Sequence, residues 1–220
     1  AGSAAFRASA SIDGSPVIRF DGTAGTRIIE VADGATLKLN AAFNLNSGAG
    51  ATAALSKNDP GTLVLNASNS GWSGAISINQ GALLINNSAL TSPAGTGTIT
   101  ISPGFGIVGA ALQLAGGVTV SNPFVIQGTA NLLQAGINFG GQLESVSGNN
   151  TYSGTISMPW DSTIGSRSGS TLTISGLITA TGTHRLQFNA EGNIVLNTAT
   201  TSLTGALWGV DKYGAGTLTI

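Results

Sequence analysis

Residues 57–85 read KNDPGTLVLNASNSGWSGAISINQGALLI, and this stretch decides the fold. Leu63 and Leu65 flank Val64, Ile76 and Ile78 flank Ser77, and Gly, Asn, Ser and Pro punctuate the rest. Apolar side chains two apart, in runs of three to five residues closed by turn formers, are the pattern of short strands with one buried face. The phrase is then restated. Residues 148–158, GNNTYSGTISM, repeat its middle with Tyr152-Ser153-Gly154 where Trp72-Ser73-Gly74 stood. Residues 212–220, KYGAGTLTI, repeat its opening, with Lys212, Gly216, Thr217 and Leu218 in the places of Lys57, Gly61, Thr62 and Leu63.

The same beat runs through the chain: Ile99/Ile101, Leu112/Leu114, Val118/Val120, Ile137/Phe139, Ile156/Met158, Leu172/Ile174, Leu186/Phe188 and Leu218/Ile220. Nowhere does an i, i+3, i+4, i+7 pattern last long enough for a helix, so the chain reads as all-β. Between Pro60 and Leu143 there is no charged side chain. Residues 105–120, FGIVGAALQLAGGVTV, nevertheless do not read as a membrane helix: they are too short, and they carry four glycines and Gln113.

Composition narrows the function classes. Only 8% of the 220 residues are charged, against roughly a quarter in an average soluble domain. Hydroxyls and amides must therefore wet the surface. A net charge of -1 gives no field to steer the chain toward nucleic acid or acidic lipid, and neither is expected as a partner. Cysteine is absent, which removes disulfides and thiolate metal sites. The opening residues, AGSAAFRASASIDG, lack the basic and apolar regions of a signal peptide.

Among all-β architectures, internal repetition favours a solenoid. Asn-Gly hairpin signals are missing, and the Asp-Gly pairs at Asp13, Asp21 and Asp33 are confined to the first 34 residues. Few charges also suit a stack in which like residues sit one strand spacing, about 4.8 Å, apart, because stacked charges repel and stacked Asn and Thr bond. The expectation is one continuous right-handed parallel β-helix over residues 1–220, with about nine or ten coils of three short strands.

The run Lys57, Gly61-Thr62-Leu63, Leu65, Asn69, Trp72-Ser73-Gly74, Ile76, Ile78, Gly81, Leu83 resembles the autotransporter-associated β-strand repeat, also called the passenger-associated transport repeat. Trp72 stands where that repeat usually has Tyr, and Asp59-Pro60 where it has small residues; Tyr152-Ser153-Gly154-Thr155 carries the more typical wording. More loosely, residues 31–39, 89–126 and 169–178 resemble what flanks the repeat in large passenger domains. The resemblance implies a parallel β-helix exported through the outer membrane of a Gram-negative bacterium by a translocator outside this segment.

The residues of the phrase carry structural expectations of their own. Gly61 and Gly81 would permit positive-φ corners, and Gly74 would sit where a side chain would collide with a neighbouring coil. Leu63, Leu65, Ile76, Ile78, Leu83 and Ile85 would fill the interior. Trp72 and Tyr152 read either as interior plugs or as rings exposed to a glycan or partner. Lys57 and Lys212 read as solvated cations beside turns, paired with Asp59 and Asp211.

Catalysis finds little to work with. His184, the single histidine, reads as a solvated loop residue and cannot anchor a zinc or triad site without a second His or Cys. Three acidic pairs fall near one coil apart: Asp13 with Asp33, Glu144 with Asp161, and Glu191 with Asp211. The first reads as turn chemistry, with Ca²⁺ ligation as the alternative. Neither a G-x-S-x-G elbow nor a phosphate loop is present; residues 48–57, GAGATAALSK, lack the strand-to-helix context.

The expected function is therefore a non-enzymatic structural and presentation segment of a bacterial cell-surface or secreted protein, without cofactor or metal. Its partners would be adjacent coils of a longer chain. The alternatives are a glycan-binding adhesin or polysaccharide-acting enzyme, which needs an exposed aromatic or acidic groove around residues such as Trp72, Tyr152, Trp160 and Trp208, and a filament subunit stacked end to end. The phrase breaks off at Leu218-Thr219-Ile220, which suggests a window on a longer array.

Overall fold

A computed structural model describes residues 3–13, 18–19, 25–44, 46–47, 51–101, 109–127, 136–138, 140–197, 203–204 and 207–220. Three parallel sheets wind around one apolar core. The first stacks nine strands in chain order: Ser3–Phe6, Thr26–Val31, Ala54–Asn58, Ile76–Ile78, Ile99–Ile101, Phe124–Ile126, Ile156–Met158, Ile178–Ala180 and Leu203–Thr204. The second stacks nine more: Ala10–Ile12, Thr36–Leu39, Thr62–Leu65, Gly81–Ile85, Ala110–Ala115, Leu143–Ser147, Ser162–Ser166, His184–Ala190 and Leu207–Tyr213. The third has five: Thr119–Val120, Asn149–Tyr152, Thr171–Ile174, Asn193–Leu196 and Leu218–Thr219. No helix occurs among the described residues.

This is a parallel β-solenoid, as the repetition implied. Nine stacked strands delimit at most eight windings, and the chain makes about 7 turns, fewer than the nine or ten expected. Some windings are longer than the strand bursts suggest: Phe124 pairs with Ile156, 32 positions on.

Three strands per coil also fails in the middle of the chain. A separate parallel pair, Ile18–Arg19 with Phe43–Asn44, precedes the third sheet, and residues 66–75 and 86–98 pass that side without a strand. Those segments are rich in Asn, Ser, Gly and Pro, so local turns replace the ladder. A small antiparallel pair, Asn46–Ser47 with Ala51–Thr52, is an exception to the parallel rule.

Period-two patterning becomes columns. On the second sheet Leu37, Leu63, Leu83, Leu112, Leu143, Ile164 and Phe188 are in register and all buried. On the first, Leu55, Ile76, Ile99, Phe124, Ile156 and Ile178 form the matching column. Each such side chain contributes roughly 1.5–3 kcal/mol by leaving water, and each touches its counterparts above and below. The fold is thus held by rows of stacked apolar side chains rather than by a single centre.

The Ile137/Phe139 beat does not give a core strand. Gly136 and Gly141 form an isolated bridge, Ile137 is half-buried beside a surface pocket, and Phe139 lies outside the described residues. Of residues 105–120, those at 110–115 and 119–120 are strands, and 105–108 lie outside the described residues. Among the described residues no helix is long and apolar enough to cross a membrane.

Candidate functional site

The restated phrase builds one corner of the coil, where the third side turns into the first sheet. Trp72 and Tyr152 are interior plugs, 1% and 0% exposed. The Trp72 indole Nε1 donates to the Ala53 carbonyl at 3.0 Å, and the Tyr152 hydroxyl donates to the Asn122 carbonyl at 2.7 Å. Register explains the likeness: Leu55 pairs with Ile76 and Phe124 with Ile156, which sets Ala53 under Gly74 and Asn122 under Gly154. In both copies the aromatic tip therefore caps the carbonyl directly beneath the glycine two residues ahead.

The glycine is what lets the ring reach. A Cβ on Gly74 would overlap the Ala53 carbonyl and the Trp72 indole; one on Gly154 would overlap the Asn122 carbonyl. Gly97 and Gly176 continue the column, on Gly74 and Gly154 respectively. Ser73 and Ser153 face solvent. Asn69, 4% exposed, ties this side to the next coil by donating from Nδ2 to the Pro93 carbonyl at 2.6 Å. Burial pushes the Tyr152 phenol up, so it stays a donor throughout the physiological range.

Lys57 overturns its expected place. It is 0% exposed and stands in the inward column of the first sheet, between Ile29 and Ile78. Its Nζ donates to the carbonyls of Asn58 at 2.9 Å, Asp59 at 2.7 Å and, from the next coil, Gln80 at 3.0 Å. Desolvation draws the ammonium down to about 8, partly opposed by the Asp59 charge. The Asp59 carboxylate instead meets exposed Arg7 at 3.2 Å.

Lys212 makes the equivalent local contact, Nζ to the Gly214 carbonyl at 2.7 Å, but is exposed. It stands one face further round, in the column of Phe188, so this restatement is out of phase with the first. The expected pairing of Lys212 with Asp211 gives way too, because Asp211 Oδ2 faces Arg185 Nε at 3.2 Å.

The corner glycines divide their expected roles. Gly81 takes a φ of +72°, but at the preceding corner it is Asp59 that takes +66°. Gly61 is required for space instead, since a Cβ there would run into the carbonyls of Val31, Ala32 and Ala35. Gly216 has the same constraint against Gly192. Thr62 pairs with Thr36 and Ala82, Leu63 and Leu65 are core, and Leu83 lies above Leu63. Thr217 donates its amide to Asn193 Oδ1 at 3.3 Å, and Leu218 rests on Ile194.

None of the three acidic pairs stacks in register. Asp13 caps a ladder of amides: Asn40 Nδ2 donates to Asp13, Asn66 Nδ2 to Asn40 Oδ1 at 2.7 Å, and Asn87 Nδ2 to Asn66 Oδ1 at 3.1 Å. Asp33 lies in the turn closed by Ala35 N to Ala32 O at 3.0 Å, and Gly14 lies outside the described residues. Glu144 aligns with Gly165 and Asp211 with Gln187. No group of three or more metal-ligating residues occurs among the described residues. His184 opens a strand rather than sitting solvated in a loop: its ring packs against Trp160 with centroids 5.8 Å apart and planes tilted by 44°, and Nδ1 lies 3.7 Å from Asp161 Oδ1.

Two features had no forecast. Glu144, 1% exposed, accepts from Gln113 Nε2 at 2.7 Å and from Arg167 through Nε at 2.6 Å and Nη2 at 3.2 Å. Beside this group opens a pocket of about 230 Å³ on the outer face of the second sheet, lined by Asn138, Gly140, Arg167, Asn189 and Glu191 among others. The signal was available: Glu144 is the first charge after 83 uncharged positions counted from Gly61, and Arg167 follows it by 23 residues, one coil.

No family model, curated protein or solved structure matches the chain.

Proposed function

We propose that the chain is a structural and presentation segment of a bacterial surface protein: a right-handed solenoid spacer that extends a longer passenger, helps to draw it through the outer membrane and is not an enzyme. The observation that carries this reading is the repeated corner. The large side chains that make the phrase distinctive are spent on joining one coil to the next: Trp72 and Tyr152 on carbonyls below, Asn69 on the coil above, and Lys57 on the turns of two coils. A unit of this kind folds by adding coils to a formed edge, which converts chain emerging on one side of a membrane into buried rows at no external energy cost. Absence of cysteine suits passage as an unfolded chain, since no disulfide can form on the way.

The test fuses the chain to an outer-membrane translocator and reads surface exposure by antibody on intact cells. The expected result is surface display of the wild-type segment and its loss when Gly74→Val and Gly154→Val block both corners. Equal display of wild type and double variant, with the variant unable to fold in isolation, would overturn the role in export.

A further inference from the structure

We propose that the pocket beside Glu144 and Arg167 binds a single neutral sugar ring, so that the spacer also carries a glycan-docking site. The pocket belongs to the longest winding, the one between Phe124 and Ile156. In solenoids, departures from the repeat map to loops on one face, often the face that binds. Here Gly140 packs on the outer face of the second sheet, its carbonyl over Gly165, while Gln142 extends the ladder, donating its amide to the Thr163 carbonyl at 2.8 Å and accepting from Leu112 at 2.8 Å.

The walls are fixed before any ligand arrives. Gly140 lies so close to the Glu144 carboxylate that a Cβ would overlap it, and Gly165 leaves space only for the Gly140 carbonyl. Arg167 is clamped in a fork on Glu144 with 48% of its side chain still exposed, and that fork holds its guanidinium up. Asn138 stands at the rim in a left-handed backbone, φ +50°, a conformation that Asn adopts more readily than other side chains. Glu191, exposed, also lines the pocket.

Volume and charge select the ligand. About 230 Å³ accommodates roughly eight waters at ~30 Å³ each, the scale of one pyranose rather than a chain of them. Carboxylate, amide and guanidinium are planar two-point groups, matched by vicinal hydroxyls that donate and accept side by side. Glu144, Arg167 and Glu191 sum to one negative charge, which disfavours acidic sugars and phosphates. A divalent cation is disfavoured as well, because both Glu144 oxygens are engaged by Gln113 and Arg167 and the guanidinium would repel it.

Saturation-transfer NMR on the whole 220-residue chain tests this with neutral hexoses, N-acetylhexosamines, sialic acid and, separately, Ca²⁺ by calorimetry. Transfer from a neutral sugar at millimolar concentration is expected, weakened at least tenfold by Glu191→Ala and by Asn138→Ala, and unchanged by Trp160→Ala, which alters an exposed ring outside the pocket. Both pocket variants alter exposed side chains, and circular dichroism checks that they fold. Transfer abolished by Trp160→Ala but retained in the pocket variants, preference for sialic acid, tight Ca²⁺ binding, or no transfer from any sugar would each overturn the proposal. None of these outcomes bears on display of the segment at a cell surface, so the two readings fail separately.

Discussion

The Tyr152 hydroxyl and the Asn122 carbonyl, 2.7 Å apart, repeat one coil-to-coil bond that Trp72 makes to Ala53 at 3.0 Å. Two unlike aromatic side chains serve because what the position demands is an apolar body with a donor at its end. Tyr152→Phe keeps the body and orphans a buried carbonyl, and should lower stability by about 1 kcal/mol. Gly154→Ala forces a methyl into that same carbonyl and should cost about 3 kcal/mol. Urea unfolding of the two variants checks the order; a Gly154→Ala protein as stable as Tyr152→Phe would mean that the column has room to spare.

Face parity is the second expectation. Ile76 is wholly buried between Leu55 and Ile99, while Ser77 beside it is half-buried and points outward. Ile76→Asp places an unpaired charge in the stack and should destabilise by about 4 kcal/mol or more; Ser77→Asp should stay within about 1 kcal/mol. Thermal melts that shift equally for both would assign the wrong face to the core.

The amide ladder gives a third. Asn66 both donates to Asn40 and accepts from Asn87, so Asn66→Ala breaks two bonds at once and should cost about 1–3 kcal/mol. At its foot, hydrogen bonds from Ser11 and then Asn40 hold the Asp13 carboxyl below its usual range. A depressed carboxylate favours the fold at pH above its unfolded value, and that contribution disappears as pH falls through the folded one. Because the ladder needs no metal, EDTA should leave the melting temperature unchanged; a fall of several degrees restored by Ca²⁺ would place an ion there.

How much was legible in the sequence follows from what each residue answers to. The strands and their inward faces answer to the residues two positions away, so Leu63, Ile76 and Leu172 could be placed without a structure. Lys57 could not, because a lysine's burial depends on three carbonyls that include one from the following coil. Glu144 failed likewise: Asp161 follows it by 17 positions, short of a full coil, and register sets Gly165, 21 positions on, beside it. Local periodicity reads the fold, whereas the polar groups are decided by register between coils.

Lys57 carries the last prediction. Its ammonium is fully buried and drawn down to about 8, while in the unfolded chain it would titrate near 10.5. Below pH 8 both states hold the proton, and folding bears the whole cost of desolvating the charge. Between pH 8 and 10.5 the folded chain releases its proton while the unfolded chain keeps it, so the unfolded state binds more protons and stability rises with pH. The gain is at most about 3 kcal/mol, because a tenfold change in a proton's affinity is worth about 1.4 kcal/mol. Lys57→Met removes that rise and leaves the Asn58, Asp59 and Gln80 carbonyls without their donor, so it should be about 1–3 kcal/mol less stable at pH 7. Lys212→Met, altering an exposed cation, should keep the wild-type slope. Denaturant midpoints for the three proteins from pH 7 to 10.5 decide the matter: a rise in wild type and Lys212→Met but not in Lys57→Met is expected, and parallel curves for all three would show that Lys57 does not titrate inside the stack.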